Sequence, residues 1–205
     1  TLYVLPAQKA TGTVTVTNEG DGNLAGTGSA FDLNGSITNS TTAGFTVTPA
    51  SSTTFSLTDN SVSTATATYT GSTRGDSATA SITANFTNGS SDGKNTSGQT
   101  ATFVFTGQTV APLASVAPTL TFATVRVGDA GAAATNTVAL TVKNTGDGNL
   151  AGNTSIYNLG GTVGSATGPF SGAGGALNGT TGLNDSTYGG GATTSASFTF
   201  SYAPT

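Results

Sequence analysis

The chain has 205 residues, five Lys and Arg, nine Asp and Glu, and a formal charge of −4, so no basic stripe exists to neutralise nucleic-acid phosphates. Cys, Met, Trp and His are all absent, which excludes disulfides, thiolate and imidazole metal centres, thiol nucleophiles and any Ser-His-Asp triad. No apolar run approaches the roughly 18 residues that span a bilayer, and Thr1 opens no signal peptide, which leaves a cytosolic, a processed or an excerpted chain.

Leu, Ile, Val and Phe make up only about 19% of the chain, near the level at which strongly charged chains stay unfolded, but here the net charge is small. The apolar residues also fall in short alternating runs. In chain order these are Thr13-Val14-Thr15-Val16-Thr17, Thr66-Ala67-Thr68-Tyr69, Ile82-Thr83-Ala84-Asn85-Phe86, Phe103-Val104-Phe105 and Phe198-Thr199-Phe200-Ser201-Tyr202. A period of two with β-branched and aromatic residues predicts half-buried antiparallel strands. Thr on the outer face keeps strand propensity without charge. Ser and Thr supply about a third of the sequence, Gly-rich punctuation interrupts it, and no window has helical spacing. The fold class predicted is all-β.

The sequence repeats itself at an offset of 126. Residues 13–26 read TVTVTNEGDGNLAG and residues 139–152 read ALTVKNTGDGNLAG, with ten of fourteen positions matching. Phe31-Asp32-Leu33 then falls on Tyr157-Asn158-Leu159, Ile37 on Val163, Leu57 on Leu183 and Asp59 on Asp185. This predicts two tandem domains: a first β-sandwich repeat at 1–112, a linker at 113–118 whose flanking prolines favour extension, and a second repeat at 119–205. The second copy opens with two strand-like stretches at 120–127, where the first has only Leu2-Tyr3-Val4-Leu5. The first copy continues through a turn at 71–75, a strand at 78–86, a polar loop at 87–99 and a strand at 100–106, and the second has nothing equivalent. Each domain is thus expected to be incomplete at one end, the first lacking its opening strand and the second its last two. A sandwich short of strands exposes apolar side chains and unpaired edges. Either the sequence is a window of a longer array, or neighbouring subunits supply the strands.

These patterns resemble bacterial choice-of-anchor D and Hydin-like immunoglobulin-type repeats. The resemblance is carried by V-x-V-x-N-x-G-D-G-N-L, the Phe-centred Ala43-Gly44-Phe45 and Gly168-Pro169-Phe170, the Arg74-Gly75-Asp76-Ser77-Ala78 turn, the strand 197–204 and the closing 105–112. It implies antiparallel sandwiches of seven or eight strands on exported bacterial proteins, arrayed and tethered to the envelope by a C-terminal sorting segment. It brings no catalytic residue with it, and no anchor is seen in this sequence.

No residue emerges as a catalytic, cofactor-binding or metal-binding candidate. Gly20-Asp21-Gly22-Asn23 and its copy 146–149 lack the alternating acidic spacing of a calcium loop, and read as tight turns in which Gly supplies positive φ and Asp and Asn cap the loop. Arg74-Gly75-Asp76 spells an integrin-type tripeptide but sits at a turn. Thr1 lacks the basic neighbour of an N-terminal nucleophile, Lys9 being the nearest. Asp59 and Asp185 recur at equivalent positions, which argues for a structural role rather than a glycosidase pair, and Asp32 becomes Asn158. Asn34, Asn39, Asn85, Asn88, Asn95, Asn153, Asn178 and Asn184 open glycosylation sequons, which abundant Ser and Thr produce by chance. Val14, Val16, Leu24, Phe31 and Leu33, with Leu140, Val142, Leu150, Tyr157 and Leu159, read as core or turn anchors.

The expected role is therefore non-enzymatic: an extracellular structural protein of the bacterial surface, forming a fibre, stalk, sheath or matrix. It would bind its own repeats and the cell envelope through an anchor outside this sequence, with strand complementation as one route to polymers. It would use no cofactor, bind no nucleic acid and insert no segment of this sequence into a membrane. The absence of Cys and Met suits an oxidising exterior. The alternatives are an adhesin recognising glycan or host protein, and an accessory domain of a larger exported enzyme.

Overall fold

The computed structural model describes residues 1–50, 52–88, 99–129, 131, 135–189 and 193–204. Residues 89–98, most of the stretch read as a polar loop and with them the Asn95 sequon, lie outside the described residues. The chain folds as an all-β protein in two compact units, Thr1–Thr109 and Val110–Thr205.

The first unit contains β1 (Leu2–Val4), β2 (Lys9–Thr17), β3 (Leu33–Thr41), β4 (Phe45–Thr48), β5 (Thr53–Leu57), β6 (Val62–Thr70), β7 (Ser77–Phe86) and β8 (Thr100–Thr109). They form a five-stranded sheet in the order β1-β8-β7-β3-β5 and a three-stranded sheet in the order β2-β6-β4. All neighbours are antiparallel except β1, which runs parallel to β8. The predicted alternation is realised: along β6 and β7 every second residue is buried, so Ala65, Ala67 and Tyr69 meet Ala78, Ala80, Ile82, Ala84 and Phe86 in one core. Burying a side chain such as Ile82, which is fully shielded, stabilises the fold by about 2–3 kcal/mol. Alanines keep the two sheets close. At Gly12 and Gly107 even a Cβ would run into the rings of Phe105 and Tyr69. Tyr69 anchors this end of the sandwich, stacking at 5.1 Å on Phe45 and bonding through its hydroxyl to Thr109 Oγ1 (2.8 Å) and Asp76 O (3.2 Å).

The second unit contains β9 (Ala114–Val116), β10 (Thr137–Asn144), β11 (Thr162–Val163), β12 (Phe170–Ser171), β13 (Gly175–Ala176) and β14 (Ser195–Tyr202). One sheet runs β12-β14-β10-β9, and β11 pairs with β13. Its core is smaller: Val142, Leu177 and Leu183, with Leu159, Val163, Ala196 and Phe198 packed against them.

The repeat is legible in the registers. Val14 faces Ala65, and Leu140 faces Phe198. Leu33 pairs with Leu57, and Leu159 bridges Leu183. Phe45 faces Tyr69, and Phe170 faces Tyr202. Among the described residues, the second unit has no counterpart of β7 and β8, and the first has no counterpart of β9.

Two expectations change. The stretch 113–118, read as a linker, contains β9, which pairs with β10 from Val116–Val142 to Ala114–Asn144. Prolines flank it because β9 is an edge strand, where a missing N–H is tolerated. The stretch 120–127, read as strands, forms none. Its first-unit counterpart, β1, is held by β8, and the second unit offers no such partner. Instead Ala123 is tied at both its N–H (2.9 Å) and its carbonyl (3.0 Å) to the buried Asn136 side chain.

Candidate interaction site

The motif shared by the two repeats ends β2 and β10. In both copies a single 3-10 turn follows, at Gly22–Leu24 and Gly148–Leu150. The glycines do not supply positive φ as expected, since none of Gly20, Gly22, Gly146 and Gly148 lies in the left-handed region. Space is the requirement. A Cβ on Gly22 or Gly148 would stand 2.5 Å from the carbonyl oxygen of Phe31 or Tyr157. The rings of those two residues cover Gly26 and Gly152, which makes them turn anchors. Leu24 and Leu150 are neither core nor anchor: both are exposed, at 86% and 40%.

Asparagine and aspartate build a polar clamp around this turn. Asn18 Nδ2 donates to Leu57 O at 2.8 Å, and Asn144 Nδ2 to Leu183 O at 2.8 Å. Their Oδ1 atoms accept Gly20 N–H and Gly146 N–H, both at 3.0 Å. The Asn23 and Asn149 side chains reach across the loop and accept the N–H of Asp59 (3.1 Å) and Asp185 (2.8 Å). Asp59 and Asp185 therefore share a structural position, as the repeat predicted. Asn18 and Asn144 were missed by the sequence reading, although their recurrence at the same offset marks them.

The two clamps differ in completeness. In the second unit Asp185, 1% exposed, also accepts Asn149 N–H at 2.8 Å and Thr187 N–H at 2.8 Å. Asn149 Nδ2 meets Asn158 Oδ1 at 2.8 Å. In the first unit Asn23 Nδ2 reaches Asp32 only at 3.5 Å, and the buried Asp59 Oδ1 has no partner among the described residues.

The segment ahead of β9 adds a second difference between the two copies. Leu113 N–H donates to Asn144 Oδ1 (3.1 Å), and Ala111 N–H donates to Asp147 Oδ1 (3.0 Å). In return Thr145 N–H donates to Leu113 O (2.8 Å) and Asp147 N–H to Ala111 O (3.1 Å). Pro112, between them, lies over Gly146, where a Cβ would be 2.7 Å from its Cα. On the first unit the same edge is bare. Glu19 N–H, Asp21 N–H and the Asp21 carboxylate have no partner among the described residues, and Gly20 has nothing but the Asn18 side chain near it.

A second open region lies on the second unit. Phe170 and Tyr202 stack at 4.9 Å, and Phe122 joins them at 5.5 and 6.1 Å. With Leu120, Leu140, Val163 and Phe200 these rings line adjoining grooves of about 690 and 420 Å³. The first-unit equivalent of Phe170, Phe45, is buried.

Other residues singled out in the sequence make local contacts within the first unit. In Arg74-Gly75-Asp76, the Asp76 carboxylate accepts Thr73 N–H at 2.8 Å, and Gly75, at φ +91, donates its N–H to Thr109 O. Asn34 and Asn88 tie β3 to the end of β7, with Asn34 N–H donating to Asn88 Oδ1 at 2.8 Å. Among the described residues no group of three acidic side chains could hold a metal ion, and no helix is long and apolar enough to cross a membrane. No protein-family model matches the sequence, and no curated protein matches it significantly.

Proposed function

We propose that the chain is an extracellular structural protein of the bacterial surface, a fibre, stalk, sheath or matrix component built from tandem immunoglobulin-like β-sandwiches. The observation that carries this reading is one repeat built twice with different strands: among the described residues the outer edge of β2 has no partner strand, and the second unit has no counterpart of β7 and β8. Units open at opposite places are suited to continuing one into the next, by covalent succession or by strand exchange. Load would then pass through backbone ladders and the polar clamps, while threonine-rich outer faces stay hydrated. The resemblance to choice-of-anchor D repeats supports this reading, since it implies exported bacterial proteins tethered to the envelope. The aromatic groove of Phe122, Phe170 and Tyr202 favours the adhesin reading instead, since sugars stack on such rings.

Light scattering on purified residues 1–205 across concentration tests self-association. Mass rising into open-ended species, or visible filaments, is expected, and a constant 19.8 kDa would remove polymerisation by this chain. Antibody labelling of intact source cells tests the location, and labelling only after permeabilisation would overturn it.

A further inference from the structure

We propose that the bare edge of β2 around Asn18, Gly20 and Asp21 is a receptor for one extended segment of Ala-Pro-Leu type, supplied by another repeat of this same family. The inference rests on the repeat-to-repeat part of the reading above, and it names the partner and the residues that hold it.

The template is in the chain itself. At the second unit this site is filled by residues 111–113, through four backbone and side-chain bonds of 2.8–3.1 Å. Every group that receives the segment there has an unoccupied equivalent here. Glu19 N–H and Asp21 N–H replace those of Thr145 and Asp147. Asp21 offers its carboxylate where Asp147 accepts Ala111 N–H. Asn18 Oδ1 accepts one donor, Gly20 N–H, where Asn144 Oδ1 accepts two.

Gly20 is the second, independent sign. Gly146 is required because the segment's backbone presses on it. Gly20 meets no such backbone, has no unusual φ, and only the Asn18 side chain lies near it, 3.2 Å from where a Cβ would stand, so no backbone contact among the described residues demands a glycine there. A docked segment would. Leu24, 86% exposed against 40% for Leu150, lies in the turn that follows.

The chemistry of the occupant follows from the spacing. Residues i and i+2 must each present N–H and C=O to the edge. Residue i+1 faces away, so a proline there loses no hydrogen bond and fixes the extended backbone. An apolar-Ala-Pro-Leu-Ala-Ser-Val pattern meets these conditions.

The test grafts residues 110–121 directly ahead of Thr1 in the full chain. Phe122 is the structural equivalent of Thr1 when the positive-φ turns at Ala7 and Gly128, closed by Gln8 N–H to Leu5 O and Asp129 N–H to Arg126 O, are superposed. Amide exchange at Glu19 and Asp21 should slow at least about tenfold in the graft. Gly20→Ala should abolish that protection while leaving the exchange of Thr145 unchanged. A graft with the Ala-Pro-Leu order scrambled should give no protection. Unchanged exchange in the graft, or equal protection by the scrambled segment, would overturn the proposal. A chain that stays monomeric yet closes the grafted edge would refute self-association and leave this site standing.

Discussion

The same fourteen-residue motif closes two sandwich units, and the two copies are not in the same condition. Around Asn144 and Asp185 the loop is covered, and its hydrogen bonds are short and reciprocal. Around Asn18 and Asp59, among the described residues, it is bare, one contact is 3.5 Å long and one buried carboxylate oxygen has no partner. Ten matching positions therefore do not by themselves produce a closed clamp. Two things outside the motif differ: Asp32 stands where the second clamp has Asn158, and residues 111–113 cover the second copy alone. Where the aromatic pair sits, the order reverses: Phe45 and Tyr69 are buried beside β7 and β8, while Phe170 is 42% exposed and Tyr202 half-buried. Among the described residues, each unit is covered where the other is open.

Substitutions at equivalent positions should separate the units. Asp185→Ala removes a buried carboxylate with three hydrogen bonds and should destabilise the second unit by about 3 kcal/mol, whereas Asp59→Ala should cost the first about 1 kcal/mol. Urea unfolding followed by unit-resolved NMR measures both, and equal losses would mean that the clamps are equivalent after all. Gly146→Ala drives a methyl into Pro112 and Leu113 and should cost about 2 kcal/mol. Gly20→Ala brings a methyl only against Asn18 Oδ1, at 3.2 Å, and should cost about 1 kcal/mol or less, and a loss equal to that of Gly146→Ala would show that the first unit needs the glycine for a reason of its own. Tyr69→Phe strips two hydrogen bonds from a buried hydroxyl and should cost about 1–2 kcal/mol. Tyr202→Phe should change thermal stability by less than about 0.5 kcal/mol.

The strands were legible because alternating Val-Thr and Ala-Thr runs have only one way to bury their apolar face. The repeat and the structural role of Asp59 and Asp185 were legible because identical side chains recur at one spacing. The stretch 120–127 misled, since a strand needs a partner as well as a pattern, and Phe122 went instead to Phe170 and Tyr202. The proline-flanked 113–118 misled in the other direction: proline marks an edge strand as readily as a linker. The clamp itself was half hidden. Asn18 and Asn144 read as ordinary turn residues, and their long-range bonds to Leu57 and Leu183 depend on a loop closing 39 residues later. Gly12 shows the limit most plainly. It makes room for the Phe105 ring, a contact between strands that no local pattern announces.

Amide hydrogen exchange of the unmodified chain in dilute solution bears most directly on this contrast, read at two equivalent pairs. Thr145 and Asp147, bonded to Leu113 and Ala111, should exchange only when the second unit opens, and Glu19 and Asp21 should exchange at close to unfolded-chain rates. Equal protection of both pairs would contradict the account, because it would mean that the edge of β2 is already closed.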